Sequence, residues 1–208
     1  MKIETARFIR SVVDSGGFID DGHPEIAFVG RSNVGKSSLL NRLLKRKTLA
    51  RISSTPGRTR AVNYFLINEG FYFVDLPGYG YARVSKSERR IWADLMESYF
   101  RTVAQRAMVI HIVDAKVGAT ELDIQASDYV RSAGLEPTIV ATKTDRIGRS
   151  RVPRAISGIR RSLGLAELGE VIPFSARTGL GVKELWAEID RYLEASSRPG
   201  SIRGMNDD

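Results

Sequence analysis

The stretch "EIAFVGRSNVGKSSLLNRLL", residues 25–44, limits what this chain can become more than any other. The apolar run "EIAFVG" fits a buried strand, and "KSSLLNRLL" carries leucines at helical spacing. Between them Gly30-x-x-x-x-Gly35-Lys36-Ser37 forms the phosphate-loop pattern. Its glycines let the backbone curl so that successive amide N–H groups converge on phosphate oxygens. The helix that follows adds its positive end. Lys36 sets an ammonium near the outer phosphates, and the Ser37 hydroxyl is a ligand for Mg²⁺. Gly30, Arg31, Ser32, Asn33, Val34, Gly35, Lys36, Ser37 and Ser38 are therefore the expected cradle.

The rest of the chain alternates short apolar runs with helical patterns, as a layered α/β domain requires. Residues 63–76 read as two strands folded at Glu69-Gly70 by a tight turn, and residues 89–100 as a helix. Strands are predicted over 108–115, 137–143 and 170–175, and helices over 120–133, about 150–163 and 181–194. The expected architecture is a six-stranded, mostly parallel sheet with one antiparallel edge strand and helices on both faces. Residues 1–24 are expected to form an N-terminal helical extension, 25–195 the domain, and 196–208 a flexible tail.

Three later stretches choose the base. "DLPG" ends a strand with Asp75, a carboxylate able to hold Mg²⁺ through water, and Gly78, whose N–H senses a terminal phosphate. "TKTD" gives Thr142, Lys143 and Asp145. Asp145 accepts from the N1–H and exocyclic amine of guanine, a donor pair adenine lacks, and Lys143 lays its stem along the base. "FSA" adds Phe174, Ser175 and Ala176, with backbone N–H groups for guanine O6. The ordered set implies GTP and GDP.

"PEIAFVGRSNVGKSSLLNRLL", "TPGRT" with Asn63 and Phe65 after it, "DLPGYGYA" followed by "VSK" and Trp92, and "TKTD" together resemble the EngB/YihA/YsxC family of Ras-like, translation-factor-related GTPases. The likeness covers about residues 3 to 194. It implies a bacterial, cytoplasmic GTPase that binds the large ribosomal subunit precursor, assists its maturation, and is tied to normal division and septum formation. It also implies that Gly57, Arg58 and Thr59 contact the nucleotide, with Thr59 joining Ser37 on Mg²⁺. Thr142 stands where most GTPases have asparagine, as is usual in this family. Arg60 departs from the family, where glutamine is usual. Tyr79 occupies the place where many GTPases orient water with glutamine, so slow intrinsic hydrolysis is expected. Asn33 matches a position that holds K⁺ in related GTPases.

Charge agrees with a polyanionic partner. Lys and Arg number 32 against 24 Asp and Glu, giving +8. Arginines concentrate at Arg146, Arg149, Arg151, Arg154, Arg160 and Arg161, and with Arg83, Lys86, Arg89 and Arg90, which reads as RNA contact through phosphates. The absence of cysteine excludes disulfides, thiolate zinc sites and prenyl anchors. A membrane-associated signalling GTPase and a small-molecule kinase are the competing classes; missing anchors oppose the first and "TKTD" with "SA" the second. His111 and Trp186 read as packing residues alongside Trp92, Asp114 as a cap or turn, and Glu121, Asp123 and Asp128 as a solvated helix face. A monomer is expected.

Overall fold

A computed structural model describes residues 1–46, 61–80, 86–103, 106–165 and 170–197. Among the described residues, seven strands form one sheet: β1 (Ala6–Val12), β2 (Glu25–Gly30), β3 (Val62–Ile67), β4 (Phe71–Asp75), β5 (Ala107–Asp114), β6 (Thr138–Thr142) and β7 (Val171–Pro173), in the order β1-β3-β4-β2-β5-β6-β7. Strands β4, β2, β5, β6 and β7 run parallel, while β3 is antiparallel to both β4 and β1. The helices are α1 (Lys36–Leu43), α2 (Lys86–Val103), α3 (Glu121–Ser132), α4 (Val152–Ser162) and α5 (Val182–Ser196).

The seventh strand corrects the expectation of six, and it replaces the expected N-terminal helix. In "ARFIRSV" the apolar residues Phe8, Ile9 and Val12 mimic a helical repeat. The cause is a β-bulge: pairing runs Phe8↔Phe65 and then Arg10↔Tyr64, so Ile9 is an extra residue that shifts the period-two pattern. Phe8 packs with one apolar cluster and Ile9 with the cluster on the opposite face. The β3–β4 hairpin helps seat this strand. Asn68 and Glu69, both left-handed at φ 49° and 52°, make the turn one residue earlier than expected. Asn68 Oδ1 accepts from Glu4 and Thr5 N–H at 2.8 and 3.1 Å, and Nδ2 donates to Lys2 O at 2.8 Å.

Each face of the sheet carries its own helices. Leu39, Leu40 and Leu43 of α1 and Leu185 and Ile189 of α5 pack on Phe28, Phe65, Phe73 and Ile110. Trp186 lies against Phe73 with ring centres 5.8 Å apart, as its packing role predicts. On the other side Leu95, Met96, Tyr99 and Phe100 of α2 cover Val29, Tyr64 and Val74, and Ile156 and Ile159 of α4 cover Ile139, Ala141 and Val171. Ile91 of α2 is 57% exposed. The Trp92 side chain lies outside the described residues. Among the described residues no helix is long and apolar enough to cross a membrane.

Candidate functional site

Gly35 closes the phosphate loop at φ 110°, a left-handed conformation suited to glycine, and caps α1 without a side-chain bond. The first amide N–H groups of α1 are thus left to a ligand. Asn33 is also left-handed, at φ 63°, which asparagine tolerates better than most residues. Lys36 is only 9% exposed and donates to Asp75 Oδ1 at the end of β4, itself 1% exposed. The phosphate lysine and the carboxylate expected in the Mg²⁺ shell therefore share one point. A β-carbon on Gly78 would lie 3.2 Å from Ser32 N, so the "DLPG" backbone passes directly over the loop.

The base end is tied to the same loop. Thr142 Oγ1 donates to Val34 O at 2.7 Å, so the hydroxyl standing in for asparagine bridges two motifs. Lys143 Nζ donates to Asn33 O at 2.6 Å and to Asp114 Oδ2 at 2.7 Å. Asp114 is accordingly more than the expected turn residue, although it does accept from Lys116 N–H at 2.8 Å. Burial works to raise its pKa, but the bonds from Lys143 and Lys116 hold it below the usual carboxylate range. Ser175 Oγ donates to Asp145 Oδ1 at 2.7 Å and accepts from Thr178 N–H at 3.1 Å, which orients the exposed Asp145 carboxylate. Phe174 is buried, and its carbonyl accepts from Thr144 Oγ1 at 2.9 Å, pinning β7 to the "TKTD" turn.

Both ends open into one cleft of about 1200 Å³, whose walls include Gly35, Ser37, Ser38, Thr142, Lys143, Asp145, Phe174 and Ala176. Gly57, Arg58, Thr59 and Arg60 lie outside the described residues, as do Arg83 and the side chains of Lys86 and Arg89. The residues present suit a magnesium nucleotide. No group of three or more His, Cys, Asp or Glu able to hold a metal occurs among the described residues. Ser37 and Asp75 supply only hard oxygen, the sparse protein set with which Mg²⁺ binds alongside water and phosphates. These two residues would hold the ion, which on binding offsets charge between the outer phosphates.

One part of the site escaped the sequence reading. Asp123 is no solvated residue: it is fully buried, and it accepts from Tyr79 Oη at 2.7 Å, Arg31 Nε at 3.2 Å, Thr120 N–H at 2.8 Å and Thr120 Oγ1 at 2.7 Å. Glu121 and Asp128 are exposed, as expected. Tyr79 Oη also meets His111 Nε2 at 2.7 Å. The phenol has one proton, which goes to Asp123, so the neutral imidazole donates from Nε2. Burial pushes the His111 pKa down to about 4 against the pull of Asp123, and burial with Asp123 drives the phenol pKa far up. Tyr79 O accepts from Ser32 N–H at 2.9 Å. The residue after "DLPG" is thus riveted to the phosphate loop by its backbone and to α3 and β5 by its side chain. The signal for Asp123 was Thr120-x-x-Asp123, a capping-box spacing.

Comparison with known proteins agrees with this geometry. Residues 25–143 match the family described as 50S ribosome-binding GTPase, and residues 93–195 match the Elongation factor Tu GTP binding domain. The "Probable GTP-binding protein EngB" of Oceanobacillus iheyensis is 44% identical over 194 residues, spanning 93% of this chain and 100% of that protein. Its counterpart from Pelotomaculum thermopropionicum is 45% identical over 198 residues, 95% of this chain and 100% of the other. A crystal structure of a probable GTP-binding protein engB shares the fold, with a TM-score of 0.69 at 24% identity over 82% of this chain and 98% of that one. A variant of Aquifex aeolicus Era, solved bound to GDP·AlF4⁻, has a TM-score of 0.60 at 27% identity, covering 81% of this chain and 56% of its own.

Proposed function

The chain belongs to the EngB family of GTP-binding GTPases, and from that premise we propose that it is a GTP-switched assembly factor for the large ribosomal subunit, needed for normal division and septum formation. The observation that carries this reading is the joining of phosphate loop and guanine carboxylate in one cleft, on a chain of net charge +8 whose matched family is described as 50S ribosome-binding. In this reading Mg²⁺ is held by Ser37 and Thr59, with Asp75 acting through water, and the partners are ribosomal RNA and protein of the large-subunit precursor.

Hydrolysis is slow in the free protein because the residue after "DLPG" has its phenol bonded to Asp123 and His111. The ribosomal particle supplies the missing water positioning. A K⁺ ion, held by the exposed Asn33 side chain, adds charge at the phosphates. Equal turnover in Na⁺ and K⁺ would remove the ion from this account. The assembly role is tested by co-sedimentation with large-subunit precursors in GTP and in GDP. Stronger association in GTP is expected; no association, or equal association in both, overturns the switch.

A further inference from the structure

The segment from Arg146 to Leu165 contains six arginines and no Lys, Asp or Glu. It folds as a 3-10 turn, Arg149–Arg151, that runs into α4. The inner face of α4 is fixed by packing: Ile156 and Ile159, with Leu163 just beyond, sit in the cluster over β6 and β7. That leaves Arg151, Arg154, Ser157, Gly158 and Arg161 exposed on the outer face. Arg151, Arg154 and Arg161 are spaced by three and seven residues, so they fall on one stripe. Among the described residues none of the three, nor Arg149, makes an ion pair. Elsewhere on the surface Arg7 pairs with Glu69 and Arg191 with Glu188.

We propose that the outer face of α4 and the turn before it is a docking surface for double-stranded RNA, read through phosphates and engaged equally in the GTP and GDP states. The inference rests on the ribosomal reading above only for where such RNA is met; the surface is argued from its own chemistry. Guanidinium groups match phosphate oxygens in pairs, and a run of arginine without lysine suits that geometry. The ten-residue step from Arg151 to Arg161 spans about 15 Å along the helix, enough to meet several phosphates of one duplex. Between Arg154 and Arg161 stand Ser157 and Gly158, which keep the stripe low so that a sugar-phosphate backbone can approach. An anionic bilayer fits less well, because the stripe carries no apolar side chain to insert.

Independence from the nucleotide follows from topology. Asp75 and Gly78, expected on the terminal-phosphate side, lie at and just after the end of β4, whereas α4 covers β6 and β7 at the far edge of the sheet. Four strand spacings separate β4 from β7, about 19 Å. Among the described residues, the strand residues packed beneath α4 come from β5, β6 and β7 and not from β4.

The test compares the full chain with the triple variant R151Q/R154Q/R161Q on a 20-base-pair RNA duplex across a salt series, in GTP and in GDP. Expected are tenfold or greater loss of affinity, a salt slope shallower by about one for each phosphate no longer neutralised, and the same loss with either nucleotide. GTP affinity, which these residues do not touch, stays unchanged and reports folding; R151K/R154K/R161K recovers part of the binding. Unchanged duplex binding in the glutamine variant overturns the proposal, as does a loss confined to GTP. Tighter binding to phosphatidylserine vesicles than to the duplex also overturns it. If the wild type binds duplex RNA through these arginines but ignores large-subunit precursors, the assembly reading fails and the docking surface stands. If it binds precursors and the variant does so equally, the reverse holds.

Discussion

Tyr79 shows how one side chain divides catalysis from architecture. Its hydroxyl lies between His111 and Asp123, each at 2.7 Å. Y79F removes a donor to a buried carboxylate and an acceptor for a buried imidazole, so the unfolding free energy should fall by about 1–3 kcal/mol. Turnover at saturating GTP should stay within about threefold, because the phenol hydroxyl is already committed to Asp123 and His111. Urea melts with single-turnover assays check both. Unchanged stability with abolished hydrolysis would make the phenol a catalytic group. Sequence made the absence of a water-orienting glutamine legible, together with Lys36, Asp75 and Asp145, because those residues act at fixed spacings within motifs. The partnership of Tyr79, His111 and Asp123 was not legible. It joins a loop, a strand and a helix across separations of 32 and 44 residues, and nothing local records such a contact.

At the scale of elements, the parallel strands were readable because each is a short apolar run, most of them closed by a motif residue. Strand β1 was not, since the bulge at Ile9 breaks its alternation and leaves Phe8, Ile9 and Val12 at helical intervals. The same strand has a consequence for solubility. Every residue of β3 is buried, and β1 pairs along its outer side from Ala6↔Ile67 to Val12↔Val62. Deleting residues 1–12 would turn "VNYFLI" into an uncovered edge rich in β-formers with no charge. The truncated chain should therefore self-associate, eluting ahead of the full-length protein by size exclusion with light scattering. A monomeric truncation would show that β1 is dispensable as an edge cover.

The whole molecule balances two buried titrating groups along the paired strands β2 and β5. Glu25, beside Ala107 at the start of that strand, is pushed by burial from 4.5 up to about 7, although Tyr99 and Arg106 pull the other way. His111 is pushed by burial from 6.5 down to about 4. His111 lies four strand steps beyond Ala107, about 13 Å, far enough for the two effects to add. Between pH 4.5 and 7 the folded protein holds a proton on Glu25 that the unfolded chain has released, so this group's contribution is full below 4.5 and is lost as pH rises through 7. Between pH 4 and 6.5 the unfolded chain holds a proton on His111 that the folded protein refuses, so that contribution is full above 6.5 and is lost as pH falls through 4. Each shift corresponds to about 3 kcal/mol, and from pH 4.5 to 6.5 the two slopes oppose and nearly cancel. Removing either group should expose the other. Relative to wild type at each pH, E25Q should gain stability as pH rises across that window, and H111Q should lose it. Urea unfolding from pH 4.5 to 7 measures both; two variants that tilt the same way would show that the burial of these groups is not what sets their protonation.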